Sequence, residues 1–211
     1  MKVTSVLVAL GTTSVLAGSA SVCPDDNTHT SGEALQKILD YKKTDHEIMA
    51  AYFRAWRDEA SDPDYNKVSM DDLPDCLDIA MVFPDGDEPD AFYTALKDSY
   101  VPTLHSRGTK VVRTVGVATF LDDSFSNDAA GYRAQAKSIL DNYIPPYGLD
   151  GLDVDVERYL SSTQVKKVSG VFKELSKSIG PKSGTDKLFI YDTNQNGDTA
   201  LFRSIYSYID Y

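Results

Sequence analysis

The sequence predicts an α/β fold whose parallel sheet closes into a (β/α)8-type barrel. Strand-like and helix-like segments alternate from residue 48 onward, and repeated units of that size imply parallel strands with right-handed crossovers. One strand, Asp150-Gly151-Leu152-Asp153-Val154-Asp155-Val156-Glu157, sets carboxylates on alternate residues and backs them with Leu152, Val154 and Val156. No glycine-rich phosphate loop follows the first strand, which argues against an open nucleotide-binding sheet and for the barrel. In a barrel the reactive side chains gather where strands end, and Glu157 is read as the last residue of its strand.

Taken in order, Thr30-Ser31-Gly32-Glu33 has capping-box spacing ahead of Ala34, Leu35, Ile38 and Leu39, the face of a short helix. The first strand runs from Ile48 to Phe53 and the second from Leu77 to Phe83. Pro89 to Arg107 reads as a helix broken near Pro102 and stopped at Gly108. Lys110 to Val117 is the third strand, and Tyr132 to Leu140 is helical. The turn Pro145-Pro146-Tyr147-Gly148 then leads into the acidic fourth strand. Val165, Val168, Val171, Phe172, Leu175 and Ile179 mark one helical face ending at Gly180-Pro181. Leu188 to Tyr191 is the fifth strand, and Tyr208-Ile209-Asp210-Tyr211 looks like the opening of a sixth. A complete barrel of this kind takes about 250 residues, so the 211 residues predict an incomplete barrel with strands one to six, a fragment or truncated product.

The domain plan is a signal peptide over 1–20, an N-terminal extension with a short helix over 21–46, and the partial barrel over 47–211. Met1-Lys2, the apolar stretch to Leu16 and the small residues Ala17-Gly18-Ser19-Ala20 carry the secretory reading. That stretch is too short and too rich in Thr, Ser and Gly to span a bilayer. The net charge of −11 is spread along the chain, which argues against nucleic acid or anionic membrane as a partner. The two cysteines, Cys23 and Cys76, can form one disulfide in an exported protein. His29, His46 and His105 show no metal-ligand spacing, and neither a metal nor an organic cofactor is expected.

Carboxylates lined up on a strand repel, so Asp153, Asp155 and Glu157 must share protons and shift their pKa values, as acid–base catalysis requires. An exposed edge strand with a charged face is the plain alternative, but the apolar back of this strand needs cover from helices. Asp150 has the opposite parity and reads as structural. Tyr52, Arg54 and Trp56 share one face of the first strand. They form either a sugar platform of ring faces and guanidinium, or barrel packing with Arg54 in an ion pair. Arg113 reads as structural, neutralising acidic neighbours. Asp192 faces the same site or opens a turn. From Asp192 to Gly197 the chain imitates half a calcium loop, but Arg203 stands where the bidentate glutamate belongs, so calcium is not expected. Asp85-Gly86-Asp87-Glu88 reads as a solvated turn over the barrel mouth.

The acidic strand resembles the Asp-Gly-x-Asp-x-Asp-x-Glu signature of glycoside hydrolase family 18, the chitinases and endo-β-N-acetylglucosaminidases. The stretches 51–58, 96–101, 108–117 and 148–157 narrow the resemblance to secreted endoglycosidases that remove N-glycans from glycoproteins. It implies a TIM (β/α)8 barrel and substrate-assisted retaining hydrolysis of the β-1,4 bond between the two core N-acetylglucosamines. By position in the motif, Glu157 would protonate the leaving oxygen, Asp155 would hold the acetamido N–H, and Asp153 would share a proton with Asp155. Tyr52, Arg54, Trp56 and Asp192 would bind substrate. The family's aromatic hydroxyl from strand six falls beyond Tyr211, and Tyr206, Tyr208 and Tyr211 are not assigned to it. The implied partner is an N-glycosylated protein met outside the cell by a monomer. A chitinase and a non-catalytic glycan-binding relative are the alternatives.

Overall fold

The computed structural model describes residues 29–211. The leader over 1–20 and Cys23 lie outside the described residues, and Cys76 is disulfide-bonded. Five strands form one sheet: β1 Ala50–Arg54, β2 Ile79–Phe83, β3 Lys110–Gly116, β4 Gly151–Asp155 and β5 Leu188–Asp192. They lie side by side in chain order, and every pair is parallel. A doubly wound sheet reverses its strand order at a switch point. This sheet does not, so it is the wall of an α/β barrel. Where the sequence predicted a sixth strand, residues 208–211 have no strand geometry, yet Asp210 N–H donates to the Phe189 carbonyl (2.8 Å) and Tyr191 N–H to that of Tyr211 (3.1 Å), along the edge of β5.

The helices are α1 Gly32–Tyr41, α2 Asp90–Ala95, α3 Val101–Ser106, α4 Ala129–Tyr143, α5 Ser162–Leu175 and α6 Ala200–Ile205. Helix α1 lies by the N-terminal ends of β2 and β3, where Lys42 at its end donates to the Leu77 and Arg107 carbonyls, while α2 to α6 cover the outer face of the sheet. Alternate strand residues point there, so Phe53, Ala80, Val82, Val111, Val115, Leu152, Val154 and Phe189 join Phe92, Leu104, Ile139, Val168 and Phe172 in the main core. Phe172 of α5 stacks on Phe189 of β5 at 4.6 Å between centroids and tilts against Phe120 at 5.2 Å. The opposite parity faces the barrel interior, where Ile79, Met81, Val112 and Ile190 make a smaller cluster beneath the acidic residues.

Gly151 explains its own place in the acidic strand. A Cβ built there would lie 2.0 Å from the Leu188 carbonyl oxygen, and its φ is +153°. Only glycine lets β4 approach β5 this closely. Asp150, just before it, is structural: its Oδ2 accepts from Val111 N–H (2.8 Å) and from the His105 ring (2.6 Å), with Lys187 3.6 Å away.

Three local expectations are corrected. The helix from Pro89 does not break at Pro102. It widens into a π-helical stretch, Leu96–Tyr100, in which Val101 N–H reaches back to the Leu96 carbonyl, and this absorbs the missing proline N–H. The capping box at Thr30 to Glu33 does not form, because Thr30 donates through both its amide and its hydroxyl to Asp75, and Glu33 pairs with Lys37. Arg113 meets rings and not carboxylates: its guanidinium lies 5.1 Å from the Tyr93 centroid and 4.9 Å from that of Tyr143.

Candidate active site

Parity and register bring the acidic residues together. Thr114 pairs with Asp153, Asp153 with Ile190, Gly116 with Asp155 and Asp155 with Asp192, so the inner faces of β3, β4 and β5 meet at the C-terminal end of the sheet. Beyond β4, Val156 N–H still donates to the Asp192 carbonyl (2.9 Å), and Thr193 Oγ1 donates to the Val156 carbonyl (2.7 Å). These two bonds hold Val156, immediately before Glu157, from both its N–H and its carbonyl. The loop ends at α5, where Ser161 and Gln164 form a reciprocal capping box. Glu157 therefore lies two residues past the strand end, exposed at the rim, because the pairing with β5 thins out after Asp155.

Asp153 sits deepest and is fully buried. Its Oδ2 accepts from Tyr52 Oη (3.0 Å) and Thr114 Oγ1 (2.8 Å), while its Oδ1 is buried with no hydrogen-bond partner. Burial, followed by the nearby charges of Asp192 and Asp155 and opposed by the two hydroxyls, pushes its carboxyl up to about 6. Asp155 is raised by burial first, then by Glu157 and Asp192, and its Oδ1 is likewise buried and unpartnered. A carboxylate oxygen without a donor in a dry place favours a proton or a ligand N–H. The Tyr52 phenol faces both Asp153 and Asp192, and burial with these two charges holds its pKa well above the tyrosine range, so it stays a donor.

Above this layer a cavity of about 330 Å³ is lined by Tyr52, Arg54, Trp56, Phe83, Asp155, Glu157 and Asp192. Tyr52, Arg54, Trp56 and Asp192 are thus brought to one wall with Asp155 and Glu157, with Asp153 beneath. Trp56 is not on the strand face, however. It lies in a 3₁₀ turn, Ala55–Arg57, held by Asp58 N–H on the Ala55 carbonyl (3.1 Å) and by Asn66 Nδ2 on the Trp56 carbonyl (2.9 Å). Two residues were missed by the sequence reading. Phe83 packs edge-on to Tyr52 at 5.4 Å and tilts to Trp56 at 6.0 Å, and its place as the last inward residue of β2 was the available signal. Thr114 was hidden because its role depends on register. Asp192 enters the wall as the end of β5, and among the described residues no group of three or more His, Cys, Asp or Glu could hold a metal ion.

The protonation of Asp153 predicts a pH effect. Between about 4, where an unfolded aspartate releases its proton, and about 6, the folded protein holds a proton that the unfolded chain has lost. Stability contributed by this group is therefore full below the lower value and falls as pH rises through the upper one. Asp153→Asn, which cannot ionise, is expected to gain on the parent across that window, by roughly 2 kcal/mol at pH 7.5 relative to pH 4. Urea unfolding of both proteins at the two pH values measures the gap; a difference independent of pH contradicts the buried, proton-holding state.

Residues 51–211 match the family described as the endo-β-N-acetylglucosaminidase EndoS TIM-barrel domain. Endo-β-N-acetylglucosaminidase F2 of Elizabethkingia meningoseptica is 47% identical over 163 residues, covering 77% of this chain and 48% of that protein. EndoS of Streptococcus pyogenes is 38% identical over 176 residues, covering 72% of this chain and 17% of that protein. Among solved structures, the apo crystal structure of an endo-β-N-acetylglucosaminidase from Cordyceps militaris superposes with a TM-score of 0.87 at 58% identity, covering 90% of this chain and 64% of that one. A second structure of that enzyme, at 57% identity and the same TM-score, carries an aspartate-to-asparagine and a glutamate-to-glutamine replacement two positions apart, in complex with fucosyl-N-acetylglucosamine-Asn. The chain spans about half the length of the first of these bacterial relatives.

Proposed function

The chain belongs to the endo-β-N-acetylglucosaminidase family of the EndoS TIM-barrel domain, and on that footing we propose that it hydrolyses the β-1,4 bond between the two core N-acetylglucosamines of N-linked glycans. The observation that carries the reading is the shared wall of Asp155 and Glu157 in one cavity with Tyr52, Arg54, Trp56 and Asp192. The two-residue spacing of Asp155 and Glu157 equals that of the paired replacements in the fungal relative bound to a glycosylated asparagine.

The substrate's acetamido carbonyl oxygen attacks its own anomeric carbon, and Glu157 gives its proton to the departing glycosidic oxygen. The buried Oδ1 of Asp155 accepts the acetamido N–H and faces the positive charge of the cyclic oxazolinium. Asp153 shares a proton with Asp155, so the pair carries one charge and not two. Tyr52 and Thr114 hold Asp153 in place from the far side. Glu157, now a carboxylate, takes a proton from water, which opens the ring from the face the leaving group left, and configuration is retained. Trp56 and Phe83 present ring faces to pyranose C–H surfaces, and Arg54 and Asp192 meet hydroxyls. No metal or organic cofactor enters the reaction. The protein works as a monomer outside the cell; no helix among the described residues is long and apolar enough to cross a membrane.

Incubation with an N-glycosylated protein, read by intact-mass spectrometry, is expected to leave one N-acetylglucosamine on asparagine, with any core fucose still attached. Chitin oligomers are expected to be poor substrates. Efficient release of dimers from chitin, with the glycoprotein untouched, would make the protein a chitinase instead.

A further inference from the structure

The connection from β2 to α2 lies between Pro84 and Pro89, where the sequence predicts a solvated turn over Asp85 to Glu88. Glu88 behaves otherwise. It is half-buried and folds back on its own loop, with Oε1 accepting from Asp85 N–H (2.8 Å) and Oε2 from Gly86 N–H (3.2 Å). Gly86 has φ +107°, a left-handed conformation that this pair of bonds fixes and that other residues rarely take. The same Oε2 accepts from the Tyr93 hydroxyl (3.3 Å), and that hydroxyl accepts from Arg113 Nη2 (3.2 Å). Arg113 is clamped between the Tyr93 and Tyr143 rings. A cation on β3, a phenol on α2 and a carboxylate in the loop thus form one polarised chain, in which Tyr93 donates to the anion and accepts from the cation.

The end of this chain borders the active site. Phe83, Asp85, Gly86, Thr119, Tyr143 and Asp155 line a second cavity of about 280 Å³, and Phe83 and Asp155 belong to both this cavity and the first. We infer that Glu88 is a positioning residue: through Tyr93 and Arg113 it locks the Asp85–Gly86 backbone into a fixed wall beside Asp155, against which the part of the oligosaccharide beyond the reacting sugar rests. This rests on the glycan-cleaving reading of the same site. The reacting atoms are not touched by Glu88, so the wall contributes equally to substrate and transition-state binding and appears in KM.

The test compares Glu88→Ala and Glu88→Gln with the parent chain. Glu88→Ala is expected to raise KM for a glycopeptide about ten-fold, the size of one hydrogen bond to a charged group, with kcat within about two-fold. Glu88→Gln keeps a side-chain oxygen acceptor and is expected to recover most of that loss. Amide hydrogen exchange at residues 85 and 86, which needs no turnover, is expected to speed up in the alanine variant and less in the glutamine variant. Unchanged exchange overturns the lock whatever the activity, and unchanged KM with faster exchange overturns the wall. A parent chain that leaves the glycopeptide intact overturns the glycan-cleaving reading instead, and the exchange data still decide the lock.

Discussion

Glu157→Gln is expected to lower kcat on a glycopeptide by about 10²–10⁴-fold, the contribution of a positioned general acid–base group, while binding persists. Glutamine matches glutamate in shape and keeps a carbonyl oxygen, but it has no proton of suitable acidity to give. Glu157 stands exposed past the end of β4, so the change adds no cavity and leaves the fold alone. The loss should therefore fall on kcat with KM little altered, and the thermal midpoint should match the parent. A variant that keeps a tenth or more of parental kcat would assign the proton to another group, of which Asp192 is a candidate on the same wall.

Asp155→Asn is the second large effect. The buried Oδ1 of Asp155 has no donor from the protein, and the acetamido N–H of a substrate supplies one. Asparagine keeps one oxygen, so ground-state binding survives, but the negative charge that stabilises the oxazolinium is gone. Removing one such preorganised electrostatic partner costs about 10²–10³-fold in kcat. Burial and the neighbouring Glu157 and Asp192 charges raise the Asp155 pKa. Neutralising it relieves that repulsion, so Asp155→Asn should unfold at the same or a higher denaturant concentration at pH 7.5. Lost activity accompanied by lost stability would mean that Asp155 holds the fold and not the intermediate.

The legible parts of this protein were those written within one strand or helix. The carboxylates at Asp153, Asp155 and Glu157 stand out because their two-residue period interleaves with Leu152, Val154 and Val156, and those three are buried among the outer helices. The sequential strand order followed from the alternation of elements and the absence of a glycine-rich phosphate loop, which together pointed to a barrel. Local pattern failed where a distant partner decided. Trp56 continued the parity of Tyr52 and Arg54, but Asn66 and Asp58 turn the chain out of the strand before it. Thr30 was free to cap α1 in the sequence and is captured by Asp75, 45 residues away. Thr114 gained its meaning only from lying opposite Asp153. Glu88, in a run of acids between prolines, has the local pattern of a solvent-facing turn, and only the distant Tyr93 and Arg113 behind it give it a fixed place.

The chemistry proposed here gives the protein the proton donor and the electrostatic partner, and leaves the nucleophile to the sugar. The most direct measurement is the cleavage rate of two glycopeptides that differ only at the sugar on the non-reducing side of the scissile bond, one with a 2-acetamido group and one with a free 2-amine. Cleavage of the acetamido substrate with loss of turnover on the amine is the predicted result. Comparable rates on both would mean that a protein carboxylate or a directly activated water makes the attack.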